Sequence, residues 1–410
     1  MKRFFSVLLL AGVASCATSP LRPVTQALAP PSTSTRTVPV QLVESAPVET
    51  VLNHPDIPDA KEVWPSRIDR AEHTLDFAEF YASNQKDSAL EAVVQSLEKA
   101  ARRGVRVRFL AEEAFYKTYP DTLERLARVP GLEVRRFPSA RRGGGILHAK
   151  YFILDGREVY LGSQNFDWRS LEHIQELGAD VAQPLIARAL LDVFETDWAF
   201  AGGADETARV HTGGLHFPVE VAQDGETLKL WPVASPRGFL PDESLWDLPR
   251  LLAMIDGAQR SVRVQLLTYR ASSRDGAPWT ELEDALKRAA ARGVDVRLLV
   301  SHWATREKSL AGLKALAQAA PGLHIRIDTI PPWSGGDIPF ARVVHAKYMA
   351  VDGERCWIGT SNWERDYFYQ SRNVGLVVEG PRFTQRLEGF FEDGWNGPYA
   401  SPLERATPSR

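Results

Sequence analysis

Two cysteines and three methionines are all the sulfur in 410 residues. Cys16 lies in the extreme N-terminal segment, so the rest of the chain holds only Cys356 and no disulfide can form within it. Stability has to come from a core, and with 44% apolar and 25% charged residues the chain is long enough to build two domains. Cys356 sits between Arg355 and Trp357 in an apparent strand, which reads as a buried apolar position rather than a nucleophile. The apolar run from Phe4 to Val13, broken only by Ser6, is too short to cross a bilayer. Positive charge is not in excess either: the net charge is -3, and -5 once Lys2 and Arg3 leave with residues 1–15. Such a chain repels polyanions globally, so any contact with nucleic acid or anionic lipid needs a local basic patch. No grouping of His, Cys and Asp has metal-ligand spacing, and the expectation is chemistry without metal or cofactor.

Basic Lys2-Arg3, the apolar run and the small residues up to Cys16 read as an export signal over residues 1–15. Val13-Ala14-Ser15-Cys16 resembles a bacterial lipobox, which implies that Cys16 is lipidated and becomes the mature N-terminus; the alternative is an ordinary signal peptide cut nearby. Ala17 follows instead of Asp, and by resemblance to Gram-negative lipoproteins this implies an exported protein anchored through its N-terminal lipid to the outer membrane, on the periplasmic face or the cell surface. Residues 16–60 are rich in Pro, Ser, Thr and Val without helical or strand period, and predict a disordered tether.

What the chain does contain is a long internal repeat. Leu147-His148-Ala149-Lys150, with Asp155-Gly156 and Gly162-Ser163-Gln164-Asn165 after it, recurs 197 residues later as Val344-His345-Ala346-Lys347, Asp352-Gly353 and Gly359-Thr360-Ser361-Asn362, every gap unchanged. The surroundings repeat too. Residues 73–81 predict a strand, 88–103 an amphipathic helix stopped by Gly104, and 105–110 a second strand. A short helix at 121–128 and a strand at 132–137 follow. In the second half 260–269, 281–292 and 294–300 replay strand, helix and strand, so the repeat covers about residues 71–168 and 258–365. The predicted architecture is α/β, with a first domain at 61–205, a connector at 206–230 whose residues 215–230 have strand character, a second domain at 231–400 and a tail at 401–410.

His148 and Lys150 are two apart in an extended segment, so their side chains share a face. Asp155-Gly156 is a hairpin turn signal that returns the chain until Gly162-Ser163 ends near the histidine. An imidazole, an ammonium, a hydroxyl and the Asn165 amide are thereby gathered, a set suited to attacking phosphorus and holding its non-bridging oxygens. One copy cannot also protonate the leaving oxygen; two copies facing each other can. The Asp-Gly context gives Asp155 and Asp352 a structural role in the turn.

The doubled His-x-Lys, Asp, Gly-Ser/Thr-x-Asn pattern resembles the phospholipase D superfamily. That resemblance implies two similar domains, each a mixed β-sheet flanked by helices, related by a pseudo-twofold axis with one active site at their interface. It implies a covalent phosphohistidine: His148 attacks and His345 is the general acid and base, the near symmetry leaving these two roles reversible, while Lys150, Lys347, Asn165 and Asn362 hold the phosphate, and Ser163 and Thr360 assist. Glu176, in Gln175-Glu176-Leu177-Gly178, matches a downstream acid that orients the nucleophilic histidine in related nucleases, while Asn373 stands at the same distance after His345. The expectation is therefore that Glu176 partners His148 and marks it as the nucleophile.

Residues 147–178, with Phe166-Asp167-Trp168-Arg169, and Pro339-Phe340-Ala341-Arg342-Val343 before His345 are similar to the lysosomal branch containing mammalian phospholipase D family members 3 and 4. That branch implies 5′ exonuclease action on single-stranded nucleic acid or lipid transphosphatidylation, and the substrate is expected to be one of these. Arg135, Arg136, Arg141 and Arg142 are candidates for steering a polyanion, and Trp168, Trp333, Trp363, Tyr367 and Phe368 for stacking bases or lining a lipid cleft. No obligate protein partner is evident. The reading of a different class is a non-catalytic phosphate- or membrane-binding protein of the same fold.

Overall fold

The computed structural model describes residues 38–272 and 276–408. The export signal, Cys16 and the first part of the expected tether lie outside these.

The described chain is two α/β halves with the same strand order. In the first sheet the order is Val40–Ser45, Glu176–Val181, Glu158–Gly162, Tyr151–Leu154, Thr74–Glu79, Arg106–Glu112 and Leu132–Phe137. Thr74–Glu79, Arg106–Glu112 and Leu132–Phe137 run parallel, and the other pairings are antiparallel. The second sheet reads Val219–Gln223, Glu226–Ser235, Asn373–Glu379, Arg355–Gly359, Tyr348–Val351, Ser261–Leu266, Asp295–Ser301, Leu323–Asp328 and Ala400–Pro402. Helices follow the predicted periodicity: Leu90, Val93, Val94 and Leu97 bury one face of Ala89–Arg102, as Leu282, Ala285, Leu286 and Ala289 do for Glu281–Ala291. Helices Pro184–Ala201 and Pro381–Asn396 join residues of both sheets in one apolar core, and each half has a further core beneath its remaining helices.

Three boundaries differ from the sequence reading. The tether does not reach residue 60: Val40–Ser45 is an edge strand on Glu176–Val181, with Ser45 opposite Glu176. The connector does not run to residue 230, because Val219–Gln223 and Glu226–Ser235 form a hairpin whose second strand lies on Asn373–Glu379, Ser235 opposite Asn373. These two strands occupy equivalent places, so the repeat begins earlier in each half than the motifs suggested. The tail is not free either, since Ala400–Pro402 pairs with Leu323–Asp328. In each case pairing with a neighbouring strand fixes the segment.

Asp155 and Gly156 both take left-handed backbone (φ 50° and 64°), as do Asp352 and Gly353 (58° and 65°), and each pair forms the centre of a tight turn closed by Arg157 N–H onto the Leu154 carbonyl or by Glu354 N–H onto the Val351 carbonyl. The Asp155 carboxylate accepts from the backbone N–H groups of Glu72, His73 and Thr74, and Asp352 from those of Gln259, Arg260 and Ser261. Each aspartate thus ties its hairpin to the start of the neighbouring strand, at the opposite end of the strand from its histidine.

Candidate active site

The motif segments of the two halves meet backbone to backbone. His148 N–H donates to the Arg372 carbonyl and Arg372 N–H to the Ile146 carbonyl, 2.9 and 2.8 Å. Gln175 N–H donates to the Val343 carbonyl and His345 N–H to the Gln175 carbonyl, 3.0 and 2.8 Å. Each histidine therefore lies beside the strand that begins 28 residues after the other histidine. A buried pair, Arg372 with Asp197 at 2.8 Å, fixes one of these junctions, the guanidinium also donating to the carbonyls of Ser235 and Phe239.

The exchange overturns the expected partner of Glu176. Its carboxylate is 2.7 Å from Nδ1 of His345, while Nδ1 of His148 is 3.1 Å from Oδ1 of Asn373. Strand Glu176–Val181 is separated from Tyr151–Leu154 by Glu158–Gly162, which carries its first residue away from His148 and toward the other half. Asn373 is oriented by its own amide, whose Nδ2 donates to the Tyr367 carbonyl at 2.8 Å, so Oδ1 faces His148 and accepts from Nδ1–H. Nε2 of His148 is left as a lone pair.

Both histidines are buried to within a tenth of full burial, and both line one cleft of about 290 Å³ with Asn165 and Asn362. Burial pushes the two imidazoles well below their ordinary range, and the charges of Lys150 and Lys347 push the same way. On His345 a hydrogen bond with the Ser163 backbone opposes this. Burial raises Glu176 to about 7 against the attraction of Lys347, and Ser170 donates to its second oxygen at 2.9 Å. Lys347 is brought down to about 7 by burial, opposed by Glu176. Lys150 falls well below its usual range by burial and by the charge of Lys347, opposed by Glu79 and Glu176. Each lysine donates to the carbonyl of its own motif histidine, which leaves further N–H donors on each ammonium.

Ser163 and Thr360 stand elsewhere than expected. Fully buried, they exchange hydrogen bonds with the backbone of Leu177 and Val374, and Thr360 donates to Oδ1 of Asn373 at 3.0 Å. They brace the partner strands and do not line the cleft. The approach is close: a Cβ on Gly162 would lie 2.7 Å from the Cα of Gly178, so glycine is required there.

Of the aromatics singled out by sequence, only Tyr367 reaches the cleft, 4.8 Å from the His148 ring. Trp363 and Phe368 are core residues, and Trp168 and Trp333 pack on His173. The four arginines are committed to the protein, each stacked on an aromatic ring: Arg135 on Trp198, Arg136 on Tyr116, Arg141 on Phe200 and Arg142 on Phe239. The walls come instead from Phe80, Tyr81, Phe115 and Tyr119 of the first half and Leu267, Trp303 and Phe340 of the second. Most follow the C-terminal ends of parallel strands, the position where α/β sheets hold ligands, and that was the available signal. Buried Glu79, at the end of Thr74–Glu79, was also missed. Among the described residues no three His, Cys, Asp or Glu side chains form a group that could hold a metal ion.

Comparison with known proteins agrees with this arrangement. The family described as "Cardiolipin synthase, PLD-like domain" matches residues 65–198 and 251–395, one copy in each half. The chain is 31% identical over 394 residues to probable phospholipase D F09G2.8 of Caenorhabditis elegans, covering 88% of this chain and 70% of that protein. It is 30% identical over 408 residues to the 5'-3' exonuclease PLD4 of Mus musculus, covering 90% and 80%. The crystal structure of phosphatidylserine synthase from Haemophilus influenzae superposes with a TM-score of 0.60 over 84% of this chain and 85% of that one, at 12% identity, which is a likeness of fold.

Proposed function

The chain belongs to the phospholipase D superfamily, and from that premise we propose that it is a phosphodiesterase working through a phosphohistidine on single-stranded nucleic acid. The observation that carries the mechanism is the unequal pair of partners, an amide on His148 and a carboxylate on His345. The first step needs one imidazole without a proton on Nε2 and one with it. A neutral amide oxygen fixes the Nδ1–H tautomer of His148 without favouring its cation, which leaves a nucleophile at Nε2. The Glu176–His345 pair can hold one proton more than an amide–imidazole pair, and whichever partner carries it at Nδ1, Nε2 of His345 is protonated. His148 remains the nucleophile, for a reason opposite to the one the sequence suggested.

Nε2 of His148 forms a bond to phosphorus as the leaving oxygen departs and takes the proton from Nε2 of His345. Water then gives a proton to His345 and attacks phosphorus, and the P–N bond breaks. Lys150, Lys347, Asn165 and Asn362 stabilise charge on the non-bridging oxygens. An entering phosphate anion offsets the burial that lowers both lysines, so the site gains cationic charge when substrate arrives.

Two features favour nucleic acid over phospholipid. The cleft, at about 290 Å³, is at the small end of ligand sites and takes a nucleotide-sized group, not a pair of acyl chains. Among its lining, aromatic rings outnumber the aliphatic side chains of Ile146, Ile174, Leu267 and Val343, and aromatic rings stack on bases of any sequence. Relatives named 5'-3' exonuclease support the same reading. The N-terminal lipid on Cys16 would hold the enzyme at the bacterial outer membrane after removal of residues 1–15.

The assignment is tested with a p-nitrophenyl phosphodiester, whose leaving group needs no proton. His345→Ala should release one equivalent of nitrophenolate and stall as phosphoenzyme, while His148→Ala releases none. The reverse pattern overturns the order of the histidines, and steady turnover by His148→Ala overturns the mechanism. Oligonucleotide and phosphatidylcholine vesicles compared in parallel decide the substrate class.

A further inference from the structure

At the mouth of the cleft one side chain stands in a conformation the fold works to keep. Phe340 is 65% exposed, the only Phe, Trp or Tyr among the described residues in the exposed class. Its backbone is left-handed, with φ 65°, and Arg342 two residues on has φ 57°. Neither a bulky side chain in that region nor a phenyl ring in water is favourable, and such conformations persist only where surrounding contacts over-determine them.

Those contacts are present and come from elsewhere in the chain. Ala341 N–H closes a turn onto the Ile338 carbonyl at 3.2 Å, and Arg342 N–H donates to the His173 carbonyl at 2.9 Å. The Arg342 guanidinium donates to the carbonyls of Pro331 and Val48, 2.7 and 2.8 Å. Arg169 of the first half donates to the Pro339 carbonyl at 3.2 Å. The same guanidinium is paired with Asp167, which accepts from Tyr81 Oη at 2.7 Å, and it reaches Tyr119 Oη at 3.5 Å. Tyr81 and Tyr119 are stacked, centroids 4.7 Å apart. Arg169 therefore ties the tyrosine wall to the loop bearing Phe340. The aromatic neighbour of the Phe340 ring is Trp303, met edge-on with centroids 6.3 Å apart. One wall is packed and fixed, and the other presents a ring with an open face.

We infer that Phe340 is a substrate-specificity residue, which takes a base flanking the scissile phosphate by stacking, opposite the Tyr81–Tyr119 wall. This rests on the nucleic-acid reading above. Stacking accounts for the exposure, because the uncovered face is the one a base occupies, and for the strain, because a relaxed loop would fold the ring onto Trp303.

The test is a cycle between enzyme and substrate, using the full chain and single-stranded DNA that carries either a normal nucleotide or an abasic one at each position flanking the cleaved bond. Wild type should lose roughly 5- to 100-fold in kcat/KM when one of the two bases is absent, the range for base–aromatic stacking. Phe340→Ala should lose a similar factor on normal DNA, largely in KM, and discriminate less than 3-fold between normal and abasic substrates. Phe340→Trp should keep the discrimination. An alanine variant that still discriminates as wild type does overturns the assignment while leaving the nuclease reading intact. If wild type cleaves neither substrate, the nuclease reading itself fails and this inference falls with it.

Discussion

Replacing Glu176 with Gln would give the two histidines the same kind of partner, since each would then face an amide oxygen. The carboxylate lies 2.7 Å from Nδ1 of His345 in a buried site. Exchanging a charge-assisted hydrogen bond for a neutral one costs about 1–1.5 kcal/mol, and two opposite charges about 4 Å apart at an effective dielectric of 20 give an upper figure of about 4 kcal/mol. Turnover of a substrate with a poor leaving group should therefore fall roughly 10- to 1,000-fold. A p-nitrophenyl diester, which needs no proton in the first step, should lose under about 10-fold in its burst. The basic limb of the pH–rate profile reports loss of the proton shared by Glu176 and His345. Without the carboxylate His345 releases that proton more readily, so the limb moves to lower pH by about one unit or more. Stability moves the other way. Burial raises the Glu176 carboxyl to about 7, so the native state holds its proton between the usual carboxylate range and about pH 7 while the unfolded state does not. The wild-type protein thus loses stability as pH rises through that window, by at most about 3 kcal/mol. Glu176→Gln has no such dependence and should gain on wild type across the same window. Equal rate losses on both leaving groups, with the basic limb unmoved, would refute the assignment of His345 as the acid.

Three further outcomes are expected. Asp155→Gly and Asp352→Gly keep the left-handed backbone but each remove an acceptor of three backbone N–H groups, so each should lower stability by about 2 kcal/mol in chemical denaturation, with kcat of the folded enzyme within about 3-fold of wild type; a loss of kcat beyond 100-fold in fully folded protein would give the aspartates a chemical role. A chain begun at residue 61 lacks strand Val40–Ser45 and bares the edge that begins at Glu176, so it should be inactive and aggregate, whereas one begun at residue 38 should fold and turn over substrate, as judged by circular dichroism and kcat/KM. Excess chelator should leave turnover of the purified protein unchanged, and abolition would show that the reaction needs a metal after all.

Most of the fold was legible because the repeat duplicates its own evidence. The helices near 88–103 and 281–292 were each visible as a local period that a buried face imposes. The positions of both histidines, both lysines and both asparagines followed from unchanged gaps in the two motifs. Less legible were the bounds of Val40–Ser45, an edge strand inside a Pro- and Thr-rich segment, and of Glu226–Ser235, which runs past the end assumed for the connector, since what fixes each is the neighbour it pairs with. The cleft walls were hidden for a similar reason. Phe80, Phe115, Trp303 and Phe340 come from four separate segments of the chain, and nothing in their spacing shows that they meet.

The partner of each histidine is a different kind of omission, and it follows from the symmetry itself. Two histidines and two residues that each lie 28 positions downstream can be joined in two ways, within a half or across halves, and both satisfy the same spacings. Sequence proximity favours the first. The sheets decide for the second, because the strand starting at Glu176 is two strands removed from the one after His148 but adjoins the segment leading to His345. The choice has chemical consequences: within a half, the carboxylate would sit on the attacking imidazole and the amide on the acid. Crossed, the carboxylate sits on the acid, and the strand register that joins the two halves also fixes which imidazole carries the proton. A change that slipped the Gln175–Val344 junction by one residue would turn Glu176 to the opposite face and leave His345 unpartnered, with both motifs unaltered in sequence. Joining the two halves is in this sense part of the acid–base chemistry, and neither half alone contains a histidine together with the group that sets its charge.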